Sequence, residues 1–297
     1  MKTGIALPQS AELGLRALRD FVDTAQAAGL DSLWVGDHLV FPPEVDRATY
    51  PYIEGMHSGA HLFSDRQWSE SIVTLTAGGA LSEAMELGFG VLLPALRNPL
   101  ILAKQLATMD ALSGGRLIVG IGVGWLRQEY QALGVPFEER VERLVEQLEI
   151  MRLMWTGEPA GYQGRFWSFD PVIALPVPAQ GRRLRVWYGG NNLGVLGRLA
   201  PAVEGWLPYE PSDADLSAGR AAASRARAAA GADEPFTIAA VTRLPLMGDQ
   251  EPGRARSVIE RYRAGGVEHL AVLSSMGRSA EDNRARIERL KEVLDSG

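Results

Sequence analysis

Cysteine is absent from the 297 residues. Its absence removes disulfides, thiolate metal sites and a cysteine nucleophile together, and it suits a reducing compartment. An excess of basic residues is missing too. Lys and Arg number 30 against 36 Asp and Glu, a formal net charge of -6, so no sequence-wide positive field holds a polyanion, and nucleic acid is not an expected partner. Long apolar runs are also lacking. The opening Met1-Lys2-Thr3-Gly4-Ile5-Ala6-Leu7-Pro8 carries only a short one, and no later run approaches the roughly 20 residues that cross a bilayer. No membrane partner is expected, and a cytoplasmic location fits. Histidines number four. His57 and His61 are spaced i, i+4, but they lie among Gly, Ser and Pro without a carboxylate pattern, so no metal is expected. Gly-x-Ser-x-Gly, His-Glu-x-x-His and Gly-x-x-x-x-Gly-Lys are absent as well, which withdraws the usual support for hydrolase, zincin and P-loop chemistry.

What the chain does contain is 46% hydrophobic and 22% charged residues, the balance of an ordinary globular protein with one large domain or two small ones. Short β-rich apolar runs alternate with longer stretches at helical spacing, without a linker-like break. Strands are expected near Thr3–Leu7, Ser32–Val35, Glu86–Leu93, Arg116–Ile121, Leu184–Tyr188, Ala202–Trp206, Thr237–Leu244 and His269–Leu273. Helices are expected near Glu12–Ala28, Gln67–Leu81, Pro99–Leu112, Glu138–Trp155, Asn192–Ala200, Asp213–Ala230, Arg254–Ala264 and Ser279–Leu294. Eight such units in a chain of this length predict an α/β fold, a single (β/α)8 TIM barrel over 1–297. A doubly wound sheet is the alternative. Two connections exceed simple turns, about 39–66 after the second strand and about 157–183 before the fifth, and long loops in compact domains tend to be lids or binding loops. Ala218–Ala230, rich in Ala and Arg, reads as a solvated helix rather than a basic patch.

In such a barrel the chemistry sits at the C-terminal ends of strands. After the second strand, Val35-Gly36 leads into Asp37 and His38. A histidine there shuttles a proton or hydrogen-bonds a redox cofactor, or else Asp37 caps a turn and His38 is a half-buried structural residue. The third strand carries Gly88 and Gly90, which mark a bulge, a flat ligand against the backbone, or close helix packing. At the fourth, Gly120, Gly122 and Gly124 alternate and strip side chains from one face, so that a ring or polar group can rest on the backbone. The spacing misses the Gly-x-Gly-x-x-Gly of a dinucleotide fold. After the fifth strand, Gly189-Gly190-Asn191-Asn192 opens a helix, either as an anion site of free N–H groups or as a tight turn capped by one of the asparagines. His269 begins the last strand, remote from that end, and is read as structural.

These segments together resemble the bacterial-luciferase-like family of flavin- and deazaflavin-dependent oxidoreductases, and more narrowly its members that use coenzyme F420. The resemblance rests on Gly29 to His38, on Asn98-Pro99 to Gly124-Trp125 with Lys104, Gln105, Asp110 and Ser113-Gly114-Gly115-Arg116, and on Trp187 to Trp206. It implies a barrel holding the ring at its C-terminal mouth, with His38 and Asp37 as catalytic groups beside it. Gly90 and Val91 then match a strand bulge with a non-prolyl cis peptide behind the ring. Val123, Gly124 and Gln128 fall at ring or side-chain contacts, and Gly189, Gly190, Asn191 and Asn192 at the loop that receives the cofactor phosphate. Relatives that dehydrogenate a sugar phosphate carry Glu directly after the fourth-strand Gly-x-Gly. This chain has Trp125 there, so sugar-phosphate oxidation is not expected. Trp125, with Trp68, Phe41, Tyr50 and Tyr52, points instead to a hydrophobic or planar organic substrate, unless these aromatics serve as packing. The function implied is hydride transfer between F420 and a small organic molecule. An FMN-dependent monooxygenase using reduced flavin and oxygen is the alternative, and a non-catalytic flavin or F420 binder a further one. Relatives commonly form homodimers, and the apolar positions of Glu138–Trp155 serve either an interface or the coat of the barrel.

Overall fold

The computed structural model describes residues 1–9, 14–43, 68–244, 246, 252–273 and 279–296. Eight short strands close into one all-parallel barrel: β1 (Lys2–Ala6), β2 (Ser32–Val35), β3 (Glu86–Phe89), β4 (Leu117–Ile121), β7 (Arg185–Tyr188), β8 (Gly205–Trp206), β9 (Thr237–Arg243) and β10 (His269–Leu273). Closure joins β10 to β1 in parallel, Thr3 opposite Leu270 and Ile5 opposite Val272. A doubly wound sheet, which stays open, is thereby ruled out. The helices packed around the barrel are α1 (Gly14–Ala27), α2 (Ser71–Gly79), α3 (Pro99–Ser113), α4 (Arg127–Ala132), α5 (Arg140–Met154), α6 (Leu193–Leu199), α7 (Asp213–Ala229), α8 (Pro252–Ala264) and α9 (Ala280–Asp295). Every one of the eight expected strand and helix segments is present within a few residues.

Local chemistry sets several of the boundaries. Asn98 caps α3, accepting from the N–H groups of Leu100 and Ile101, and Pro99 occupies the first turn, where its missing N–H costs nothing. Ser212 and Asp215 form a reciprocal capping box at the start of α7. That helix is exposed over most of its length, while two of its arginines are engaged. Arg227 is buried and donates to the carbonyls of Ala200, Val203 and Glu234, and Arg220 donates to those of Gly265 and Gly266. β3 also stops earlier than expected, at Phe89 instead of Leu93. The next peptide, Gly90–Val91, is cis, and the chain rejoins the barrel only through a bridge from Leu92 to Ile121.

Apolar packing lies on both sides of the barrel wall. Between barrel and helices lies a large apolar layer that includes Leu33, Val35, Leu106, Val119, Leu148 and Val186. Inside the barrel, Trp34, Ile118, Trp187, Leu207, Val241 and Ala271 fill the interior, as the layered core of this architecture requires. Gly88 faces Trp34 here, so that strand glycine makes room for an indole and not for a helix. Low in the barrel Trp34 and His269 meet edge to face at 5.3 Å, and the Ser32 hydroxyl links His269 Nε2 (2.7 Å) to the Trp34 N–H (2.8 Å).

The second long connection folds into an antiparallel hairpin, β5 (Ala160–Gln163) with β6 (Ser168–Val172). It packs against α5, whose buried Glu146 accepts from the N–H groups of Arg165, Phe166 and Trp167 at its turn. The hairpin lies on the barrel wall, and none of its residues lines the cavity at the mouth. α5 coats the barrel, with Leu144, Leu148, Ile150 and Met151 buried and Val141, Val145 and Leu153 packed against the core. Most of the first long connection, with Tyr50, Tyr52, His57 and His61, lies outside the described residues. Among the described residues no helix is long and apolar enough to cross a membrane, and no cluster of His, Asp and Glu could hold a metal ion.

Candidate active site

A cavity of about 540 Å³ opens at the C-terminal ends of the strands, a size ordinary for small-molecule sites. Its walls come from segments far apart in sequence: Gly36 to His38 after β2, Gly90 and Val91 after β3, Gly122 to Trp125 after β4 and Tyr188 to Asn192 at the end of β7. Leu207, Tyr209, Val241 and Leu273 complete the lining from β8 to β10, and Trp68 contributes from the chain before α2. Of the residues singled out in the sequence, Asp37, His38, Trp68, Gly90, Val91, Val123, Gly124, Trp125, Gly189, Gly190, Asn191 and Asn192 therefore meet in one place. Phe41 and Gln128 are not in the lining. Phe41 stands behind it, its ring 4.7 Å from that of His38 and 5.9 Å from that of Trp68. Gln128 sits in the first turn of α4.

The alternating glycines serve a different purpose from the one their pattern suggests. A side chain on Gly122 or on Gly189 would run into Val91, and one on Gly120 into the carbonyl of Phe89. The space they leave is taken by the protein, and Val91 rises between two strand ends to join the floor of the cavity. Gly190 is constrained in another way. Its φ of 152° is open to glycine and strained for other residues, and its carbonyl accepts the Trp206 indole N–H at 2.8 Å.

Asp37 and His38 are adjacent, and the fold gives them separate tasks. The Asp37 side chain is fully buried and all of its bonding is spent: Arg97 grips both oxygens (2.6 and 2.8 Å), the Ser71 hydroxyl donates at 2.7 Å and the Leu93 N–H at 2.8 Å. It braces three segments under the cavity, and no lone pair is left over for a substrate. Arg97 also reaches Glu70, the residue that caps α2. His38 keeps a side-chain exposure of 11% toward the cavity, and its Nδ1 lies 2.9 Å from Glu129 Oε2. The Trp68 and Trp125 rings stand near-perpendicular to the imidazole at 5.9 and 5.8 Å. Aromatic walls thus hold the imidazole in one orientation.

Glu129 was not among the residues expected from the sequence. It lies on α4, a six-residue helix too short for a periodic signal, which Leu126 and the buried Tyr130 anchor. The Tyr130 hydroxyl donates to the Val123 carbonyl at 2.8 Å, and burial pushes its pKa upward, so the phenol stays a neutral donor. A carboxylate four residues beyond the Gly122-Val123-Gly124-Trp125 exit was the available clue. Tyr209, Leu207, Val241 and Leu273 were also missed, though each stands at or just beyond the end of a strand.

The loop after β7 combines both readings of its sequence. Asn192 caps α6, accepting from Gly194 N–H at 2.9 Å and Val195 N–H at 3.1 Å. Asn191 exchanges two hydrogen bonds of 2.8 Å with the backbone of Tyr209, tying this loop to the one after β8. Among the described residues, the N–H groups of Gly190, Asn191 and Asn192 donate to no other protein group. Three donors follow one another at the rim of an apolar cavity, the kind of backbone arrangement that receives an anion.

Comparison with known proteins agrees with this architecture. A family profile described as luciferase-like monooxygenase matches residues 1–295. An uncharacterised protein of Mycobacterium tuberculosis (strain ATCC 25618 / H37Rv) is 31% identical over 274 residues, 91% of either chain. The F420-dependent glucose-6-phosphate dehydrogenase of Nocardia farcinica is 33% identical over 184 residues, 60% of this chain and 49% of that one. This chain therefore spans about half of that relative's length. Among solved structures, an F420-dependent secondary alcohol dehydrogenase in complex with an F420-acetone adduct superposes with a TM-score of 0.79 at 18% identity, covering 100% and 99% of the two chains. The FMN complex of the oxygenating constituent of 3,6-diketocamphane monooxygenase from Pseudomonas putida gives 0.72 at 14% identity, covering 98% and 96%. At these identities the structural likeness shows the fold, while the profile and the first relative show the lineage. The chain belongs to the luciferase-like monooxygenase family.

Proposed function

We propose that this chain is an F420-dependent oxidoreductase that moves a hydride between the deazaflavin and a small, apolar or planar organic substrate. The observation that carries the reading is the convergence on one apolar cavity of His38 and the unengaged N–H groups of Gly190, Asn191 and Asn192. The residues present fit such a cofactor. Val91, Leu207, Val241 and Leu273 offer a flat apolar bed, and the three N–H groups offer donors for a phosphate. When bound, the deazaflavin would supply the hydride chemistry, and the protein supplies orientation and proton handling. His38 would hold or release a proton at Nε2 as the substrate gains or loses one, with Asp37 and Arg97 bracing the chain beneath it. Trp68 and Trp125 would exclude water and face an apolar substrate. Trp125 stands where a carboxylate would serve a sugar phosphate, which argues for a neutral substrate.

The same cavity suits FMN, whose ring and ribityl phosphate need the same bed and the same donors. The FMN-bound monooxygenase neighbour supports that second reading, an oxygen-dependent monooxygenase. Equilibrium titration of the purified protein with F420 and with FMN, followed by fluorescence, separates the two. A charge is added at Leu193, the exposed first residue of α6, because Gly190 has no room for a side chain against the Tyr188 hydroxyl. Leu193→Glu is expected to weaken the preferred cofactor roughly tenfold, the equivalent of about 1.4 kcal/mol of repulsion. Selective FMN binding would transfer the assignment to the monooxygenase, and binding of neither would refute both. We further propose that the protein pairs with itself through the exposed apolar residues of the neighbouring helices α2 and α3.

A further inference from the structure

Glu129 divides its two oxygens between two tasks. Oε1 accepts the N–H of Leu39 at 2.6 Å and, more weakly, that of Val40 at 3.4 Å, while Oε2 meets His38 Nδ1 at 2.9 Å. The carboxylate is buried, with a side-chain exposure of 1%. Because Oε1 is occupied by donors, a proton shared by the pair lies on the line between Oε2 and Nδ1, and in the ionised carboxylate it resides on Nδ1. Neutral His38 then presents Nε2 as a lone-pair acceptor. The backbone bonds to Leu39 and Val40 hold the chain just after His38, so the same group sets where the imidazole stands and which nitrogen it offers.

We propose that Glu129 is the positioning residue of this site: it locks His38 in the Nδ1–H form, so that Nε2 is the nitrogen that takes a proton from a substrate hydroxyl or returns one to a carbonyl. When bound, the deazaflavin or flavin would take up the C–H electron pair as hydride in the oxidising direction, and Nε2 of His38 would receive the O–H proton. Glu129, whose oxygens face the donors of His38, Leu39 and Val40, would stabilise the resulting imidazolium. The inference rests on the proposed placement of His38 at the reacting centre. His38 and Glu129 stand 91 residues apart in the chain and are joined by the fold alone.

The test reads the tautomer directly. The four histidines of the chain make the imidazole nitrogens of protein labelled with 15N-histidine a tractable NMR spectrum, with His38→Gln to assign the relevant pair. In the wild-type protein, neutral His38 is expected to carry its proton on Nδ1. Glu129→Gln should invert it, because an amide that keeps its oxygen on the Leu39 N–H turns its NH2 toward Nδ1 and forces the proton to Nε2. With that inversion kcat should fall by roughly 10²-fold or more, while KM and cofactor affinity change little, as when a catalytic histidine is given the wrong tautomer. A wild-type His38 protonated on Nε2, or a Gln variant with the wild-type tautomer, overturns the proposal. An inverted tautomer with unchanged kcat overturns it too. If Glu129→Gln does not fold, the wild-type spectrum decides alone. If the spectra come out as expected but the wild-type protein binds neither cofactor, the pairing stands and the functional reading fails.

Discussion

His269 and His38 show how far one residue type can diverge within a single barrel. His38 faces the mouth, whereas His269 is only 3% exposed, wedged between Trp34 and Trp187. Burial lowers its pKa from 6.5 to about 4, and the attraction of Glu86, 3.9 Å away, only partly offsets that effect. The folded protein therefore resists a proton that the unfolded chain accepts readily. Above pH 6.5 neither state binds it and stability is unaffected; as pH falls from 6.5 toward 4 the unfolded state gains the proton first, and stability drops by about 3 kcal/mol. Urea unfolding at pH 7 and at pH 4.5 should show that loss, and His269→Gln should flatten it. A slope unchanged by the substitution would place the acid sensitivity elsewhere. At this scale the Asp37-His38 pair was legible as a location and not as a division of labour. Nothing in the local sequence says that Arg97 occupies one member and Glu129 the other.

Elements with a strong periodic signal were legible almost to the residue, and those that depend on a distant partner were not. The hairpin of β5 and β6 is the clearest case. Its residues include Tyr162, Phe166, Trp167 and Phe169, but an isolated two-stranded hairpin is marginal in water and needs something to pack on. Glu146 supplies the anchor, accepting three successive backbone N–H groups at the turn. Glu146→Ala would leave those donors without a partner. It is expected to cost about 1–3 kcal/mol and to raise hydrogen exchange across 160–172 while β1 to β4 stay protected. Uniform exchange over the whole barrel would show instead that the hairpin and barrel unfold as one unit. α4 follows the same logic. It is too short to be stable alone, and the bond from Tyr130 to Val123 fixes it where Glu129 can reach His38.

At the scale of the whole molecule, the surface raises a question that the closed barrel leaves open. Val73 on α2 is 69% exposed, and Ile101 and Leu112 on α3 are 60% and 77% exposed. Exposed apolar side chains on helices that touch one another can be covered by a second copy of the chain. Sedimentation velocity at micromolar concentration is expected to give a homodimer. Val73→Glu with Ile101→Glu should return it to monomers with an unchanged fold, because both side chains already face water. A monomeric wild-type protein would exclude pairing through this face. α5, whose apolar positions the sequence assigns either to an interface or to the coat of the barrel, packs Leu144, Leu148, Ile150 and Met151 against the core.

The sequence by itself determined the class of the fold, the order of its eight strand and helix units and the segments after β2, β3, β4 and β7 that line one side of the mouth. These follow from periodicity, capping residues and strand-end chemistry, all of which act over a few neighbouring residues. Tertiary structure alone decided that Val91 fills the space between Gly122 and Gly189, that Asp37 is held by Arg97, and that a glutamate 91 residues away governs His38. The physical reason is range. A hydrogen bond or a packing contact depends on distances of a few ångströms, and barrel closure brings together side chains whose separation along the chain carries no trace of that proximity.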